Sequence, residues 1–162
     1  MESVMTPAER YAASRNRAQH PLTREFIEQF DFPFDDFQIA ACNAVEDGKG
    51  VLVAAPTGAG KTVVGEFAAF SALKRGKKCF YTTPIKALSN QKFTEFVARF
   101  GEDRVGLLTG DTNINSEAEI MVMTTEVLRN MLYAHSTTLT NLGSVVMDEV
   151  HYLADRETWA LQ

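Results

Sequence analysis

The stretch Ala54-Ala55-Pro56-Thr57-Gly58-Ala59-Gly60-Lys61-Thr62 decides how this chain folds. Gly58 and Gly60 carry no Cβ, so backbone N–H groups around them can close on a phosphate. Lys61 is placed to reach the outer phosphates, and Thr62 offers a hydroxyl to a magnesium ion. Ala55, Pro56, Thr57 and Ala59 complete the cradle, with Ala55 standing where a further glycine is usual. The short apolar run Val51-Leu52-Val53 precedes the loop and reads as a strand, and a helical pattern opens at Lys61. The positive end of that helix dipole then points at the anion.

The totals set bounds. At 162 residues the chain can build one core of ordinary size. Apolar residues at 45% and charged residues at 23% are values of a soluble globular domain. A net charge of −5 argues against bulk attraction to nucleic acid, but leaves room for backbone amides, hydroxyls and local cations. Cys42 and Cys79 lie in separate apolar patterns with no CxxC and no histidine partner, so both read as small buried hydrophobes in a reducing compartment. The first residues are polar and no apolar run approaches membrane-spanning length, which predicts a cytoplasmic protein with no membrane partner.

Along the chain, Thr6-Pro7-Ala8-Glu9 is a helix start, and His20-Pro21 ends the basic helix that follows. Residues 22–30 read as a short helix. A further helix runs to about Asp47, with Asp35 or Asp36 as its cap and Phe37, Ala40, Ala41, Ala44 and Val45 along one face. After the loop helix, which stops at Gly76, strands are expected at 79–83, 105–109, 120–124 and 142–147. Helices are expected at 86–100 and 125–132, and residues 110–118 read as a polar loop. Strands alternating with helices predict an α/β fold, a parallel sheet covered on both faces.

The last of these strands delivers Asp148-Glu149-Val150-His151. An aspartate at the end of a buried strand can hold magnesium beside a phosphate loop, and the adjacent glutamate can polarise an attacking water. His151 is placed to relay the state of the nucleotide.

Taken together, AAPTGAGKT (54–62) and DEVH (148–151) resemble the DExH-box ATPases of helicase superfamily 2. Within it the wider match is to the superkiller-like RNA helicases, actinobacterial relatives included. TTPIKALSNQK (82–92) is similar to the family's motif Ia, LLTGD (107–111) to motif Ib, TTEVLRNML (124–132) to motif Ic, and FPFDDFQ (32–38) to the segment that recognises adenine. The resemblance implies that residues 22–162 form the first RecA-like P-loop NTPase domain, behind a helical extension at 1–21. It implies ATP and Mg²⁺ as ligands, with Lys61, Asp148 and Glu149 catalytic and Thr62 and Asp148 holding the metal. Gln38 would select adenine through its amide, and Phe34 would stack on the base. Pro84, Lys86, Thr109, Gly110, Thr124, Thr125 and Arg129 would meet the phosphates of single-stranded RNA, with DNA as the other nucleic acid the motifs admit.

The chain departs from the family after Asp155. The Ser-Ala-Thr strand and the second RecA-like domain are missing, which predicts a C-terminally truncated fragment. That strand belongs between the phosphate-loop strand and the aspartate-bearing strand, so both are expected to show open edges. A truncated, non-catalytic nucleotide- or RNA-binding fragment is therefore the alternative to a working ATPase half. A P-loop kinase would need an acceptor pocket and an Arg-rich lid, and the sequence offers neither.

Overall fold

The computed structural model describes residues 5–54 and 60–150, the side chains of Asn16 and Arg17 apart. The chain divides into two compact units, Met1–Phe67 and Ala68–Gln162.

In the first unit, helix α1 (Pro7–Gln19) opens as its sequence demands: the Thr6 backbone N–H donates to the Glu9 carboxylate at 2.6 Å. Helix α2 (Pro21–Ile27) stops short of the expected residue 30. Its first turn is capped from a distance. The Glu46 carboxylate accepts from the backbone N–H groups of Leu22 and Thr23 at 2.9 and 2.8 Å, satisfying donors that a helix start leaves orphaned. Glu46 is the last residue of α3 (Asp36–Glu46), which Asp35 caps. The buried face of α3 is Gln38, Ala41 and Cys42, rotated from the expected one because Ala40 faces solvent. Burial pushes the Cys42 thiol up to about 12, with the charge of Glu46 adding to the effect.

Val51-Leu52-Val53 is not a strand. Leu52 is 86% exposed, and no residue of this run joins the sheet. An apolar triplet becomes a strand only when a neighbour satisfies its backbone. Helix α4 (Lys61–Lys74) begins as expected, and the division between the units falls inside it.

The second unit is built on a five-stranded sheet in the order β3-β2-β4-β1-β5. The strands are β1 (Lys78–Thr83), β2 (Val105–Leu108), β3 (Asn113–Ile114), β4 (Ile120–Thr124) and β5 (Leu142–Met147). β1, β2, β4 and β5 are parallel, and β3 is a short antiparallel addition to β2 inside the expected polar loop. Helix α5 (Lys86–Phe100) brings Phe96 to one face of the sheet, where Cys79, Tyr81, Val105, Leu107, Ile120 and Val122 are buried. The other face buries Phe80, Met121 and Met123 with Leu128 of helix α6 (Thr125–Tyr133). Alternate residues of β1 and β4 thus enter two cores, which explains their unbroken apolar runs.

β5 shows the open edge expected of the aspartate-bearing strand. It is an edge strand with alternating burial, and Val145 and Met147 are exposed. Its outer side is unpaired among the described residues.

Gly106 leaves no room for a side chain. A Cβ there would run into the backbone oxygens of Asn115 and Ile114 and the Met121 sulfur. Gly106→Ala is expected to cost about 1–3 kcal/mol of stability through overpacking. A thermal or denaturant melt showing no loss would contradict that packing.

Candidate nucleotide and nucleic-acid site

Only part of the phosphate loop is described. Ala55, Pro56, Thr57, Gly58, Ala59 and His151 lie outside the described residues. Gly60 has a φ of 80°, a left-handed value that glycine adopts without strain. Gln38 holds this position from below: its amide donates to the Gly60 carbonyl at 3.1 Å and accepts from the Asp35 backbone N–H at 2.8 Å. A Cβ on Gly60 would strike the same amide. Gln38 is therefore buried and anchored, and among the described residues these two contacts leave one N–H and one acceptor position of its amide for a further partner. Lys61 and Thr62 form the first turn of α4, Lys61 half-buried and Thr62 exposed.

The structure corrects Phe34. Its ring is buried, edge-on to Phe26 at 6.0 Å and to Phe30 at 5.1 Å, so it belongs to the core of the first unit. Phe32 stacks on it at 5.8 Å and is 51% exposed. An open aromatic face in this segment is offered by Phe32.

In the second unit the candidate residues gather at one rim of the sheet. Because four strands are parallel, their C-terminal ends emerge on the same side. Thr109 and Gly110 follow β2, Thr124 and Thr125 close β4 and open α6, Pro84 and Lys86 follow β1, and Asp148 follows β5. Adjacent strands lie about 4.8 Å apart, so this rim runs about 15 Å from β2 to β5. Thr125 ties two of the ends together by donating its hydroxyl to the Thr83 carbonyl at 3.2 Å. Thr109 and Thr124 are buried, whereas Lys86, Gly110 and Arg129 are exposed.

Asp148 is fixed from two sides. The Tyr81 hydroxyl donates to its Oδ2 at 2.6 Å, and the Glu149 backbone N–H donates to its Oδ1 at 2.9 Å. Desolvation first, and then the charge of Asp148, push the Tyr81 phenol far above its ordinary range. The phenol therefore stays a donor. Its ring is held edge-on by Phe96 at 4.9 Å, with the Lys92 ammonium 5.6 Å from its centre. Glu149 is exposed and has a φ of 54°, uncommon for a residue with a side chain.

Residues 35–161 match the DEAD/DEAH box helicase family. The chain belongs to this family. Its curated relatives include the Probable helicase HelY of Mycobacterium tuberculosis, 66% identical over 131 residues, which is 81% of this chain and 14% of that protein. The DExH-box ATP-dependent RNA helicase DExH15, chloroplastic, of Arabidopsis thaliana is 53% identical over 137 residues, 81% of this chain and 12% of that one. The ATP-dependent RNA helicase mtr4 of Schizosaccharomyces pombe is 48% identical over 144 residues, 89% of this chain and 12% of that one. The chain thus spans about a seventh or less of these helicases' lengths. A crystal structure of a hypothetical ATP-dependent RNA helicase from Sulfolobus tokodaii shares the fold, with a TM-score of 0.62 at 24% identity, covering 83% of this chain and 43% of that one. The mixed α/β architecture is therefore that of a helicase RecA-like domain.

Helicases of this family use ATP, usually with Mg²⁺. Among the described residues no group of three or more His, Cys, Asp or Glu could cage a metal ion. None is needed, because Mg²⁺ is commonly held by one or two protein oxygens, water and substrate phosphates. Asp148 suits that role. Two of its roughly four acceptor positions are taken by Tyr81 and Glu149, and among the described residues the others remain available.

No individual role follows from the sequence for Tyr81, nor for Phe32 and Asp111, which lie in the segments similar to the adenine-recognition segment and motif Ib. A tyrosine inside an apolar strand is itself a signal, since a buried hydroxyl needs a partner. Tyr81→Phe should retain the fold and lose about 1.5–3 kcal/mol, the contribution of a hydrogen bond to a charged group. Equal denaturation midpoints for the two proteins would show that the hydroxyl does not hold Asp148.

Proposed function

We propose that this chain is the ATP-binding half of an ATP-dependent DExH-box RNA helicase, gripping single-stranded RNA along the C-terminal rim of its sheet. The observation that carries this reading is the convergence of motifs Ia, Ib and Ic and of Asp148 on one rim of four parallel strands. Ligands of open α/β sheets bind outside the carboxyl ends of the strands.

Each residue has a defined task. Gln38 and the open ring of Phe32 select and stack the adenine; Lys61 neutralises the outer phosphates. In the first unit Thr62 offers a hydroxyl, and in the second unit Asp148 offers a carboxylate, each an oxygen ligand of the kind that suits Mg²⁺. Mg²⁺, when bound, would offset the charge that develops on a transferring phosphate. Glu149 orients water for attack and accepts its proton. The rim residues Pro84, Thr109, Gly110, Thr124 and Thr125, with the exposed cations Lys86 and Arg129, are assigned to an RNA backbone, reading shape rather than sequence.

A fluorescent ATP analogue tests the first step. Lys61→Ala should weaken its binding at least tenfold, about 1.4 kcal/mol, while leaving the melting temperature unchanged. Equal affinity in the variant would remove the loop from nucleotide binding.

A further inference from the structure

Three hydrogen-bond donors at the rim converge on a single carboxylate. The Lys86 ammonium meets Asp111 Oδ2, and the Thr109 hydroxyl donates to Asp111 Oδ1 at 3.1 Å, with the Thr112 hydroxyl at 3.4 Å. The turn that presents Asp111 is closed by the Thr109 backbone N–H donating to the Thr112 carbonyl at 2.9 Å. Lys86 and Thr109 are two of the residues to which the reading above gives an RNA phosphate. In this structure both are engaged by the protein's own anion.

We propose that Asp111 is an internal competitor for the nucleic-acid phosphate: its carboxylate occupies the anion position formed by Lys86, Thr109 and Thr112, and RNA must displace it to bind there. The proposal rests on the reading of this rim as an RNA-binding edge.

The placement supports it. Lys86 opens α5 after β1, Asp111 lies in the turn after β2, and β4, ending at Thr124, stands between those strands. The ion pair therefore spans the rim across the path that a strand of RNA would follow. A phosphate approaching Lys86 with Asp111 in place meets a like charge within contact range. The pair is also easily opened, for its side chains are 49% and 66% exposed, and exposed pairs contribute little to stability. The carboxyl is held below its ordinary range, chiefly by Lys86 and then by Thr109, so it remains an anion at neutral pH. Such a device makes RNA binding weaker and more dependent on simultaneous contacts elsewhere along the rim.

Binding of a fluorescein-labelled oligo(U) to the whole 162-residue chain, followed by anisotropy from about 50 to about 200 mM salt, tests this. Asp111→Asn keeps the shape and removes the charge. It should bind several-fold tighter at low salt. The plot of log K against log salt should steepen by about 0.7, the value for one added phosphate contact on a single strand. Glu117→Gln, the same charge change at another exposed acid nearby, should give a much smaller gain. The gain from Asp111→Asn should vanish in a Lys86→Ala background. The proposal is overturned if Asp111→Asn binds as the wild type or more weakly, if Glu117→Gln matches it, or if the gain survives without Lys86. Absence of binding by both wild type and Asp111→Asn would overturn the RNA reading itself, and this inference with it.

Discussion

The pairing of β1 with β5 is the constraint on which the candidate chemistry of the second unit depends. β1 is hydrogen-bonded on both sides, to β4 and to β5, and its register with β5 sets Thr82 against Met147. The ladder continues one step further, with the Asp148 backbone N–H donating to the Thr82 carbonyl at 2.9 Å. A slip of one residue would turn every side chain of β5 to the opposite face and carry Asp148 away from Tyr81. The register shifts near Lys78 and Cys79, where Gly143 packs against the Lys77 side chain so closely that a Cβ would not fit. One strand pair thereby fixes the acidic residue at the end of β5 and the exit of the chain toward Pro84 and Lys86 at the end of β1.

The distribution of charge fits a rim that grips a backbone without bulk attraction. The chain is acidic overall, and the rim offers hydroxyls and amides with only scattered cations, one of them already neutralised by Asp111. The densest basic segment, Lys74-Arg75-Gly76-Lys77-Lys78, lies at the other end of β1. It is organised as a helix terminus and turn: the Lys77 backbone N–H returns to the Ala72 carbonyl at 2.9 Å, and the Asn141 amide donates to the Gly76 carbonyl at 2.9 Å. These contacts give the segment a structural task of its own.

Most elements of the second unit could be read from the sequence, because each carries its own periodicity and punctuation. Phe96 and its neighbours mark α5, Gly76 ends α4, and the apolar runs of β1 and β4 reflect burial on both faces. What could not be read depended on partners distant in sequence. Val51-Leu52-Val53 has strand-like composition but no ladder. β3 is two exposed residues that are a strand only because Leu107 and Leu108 pair with them. Phe34 and Phe32 are alike as residues and both pack against Phe30, and the further contact of Phe34 with Phe26 marks the buried ring off from the exposed one. The motifs picked out residues that the structure gathers at one rim, yet gave no hint that Tyr81 holds Asp148 or that Asp111 holds Lys86.

The most direct test of the account is to map where RNA touches the protein. A 4-thiouridine oligomer should be cross-linked to the 162-residue chain and the attached peptides identified by mass spectrometry. Attachment is expected within residues 83–86, 109–112 and 124–129, at the C-terminal ends of β1, β2 and β4. Attachment concentrated at residues 74–78, on the opposite side of the sheet, would contradict it.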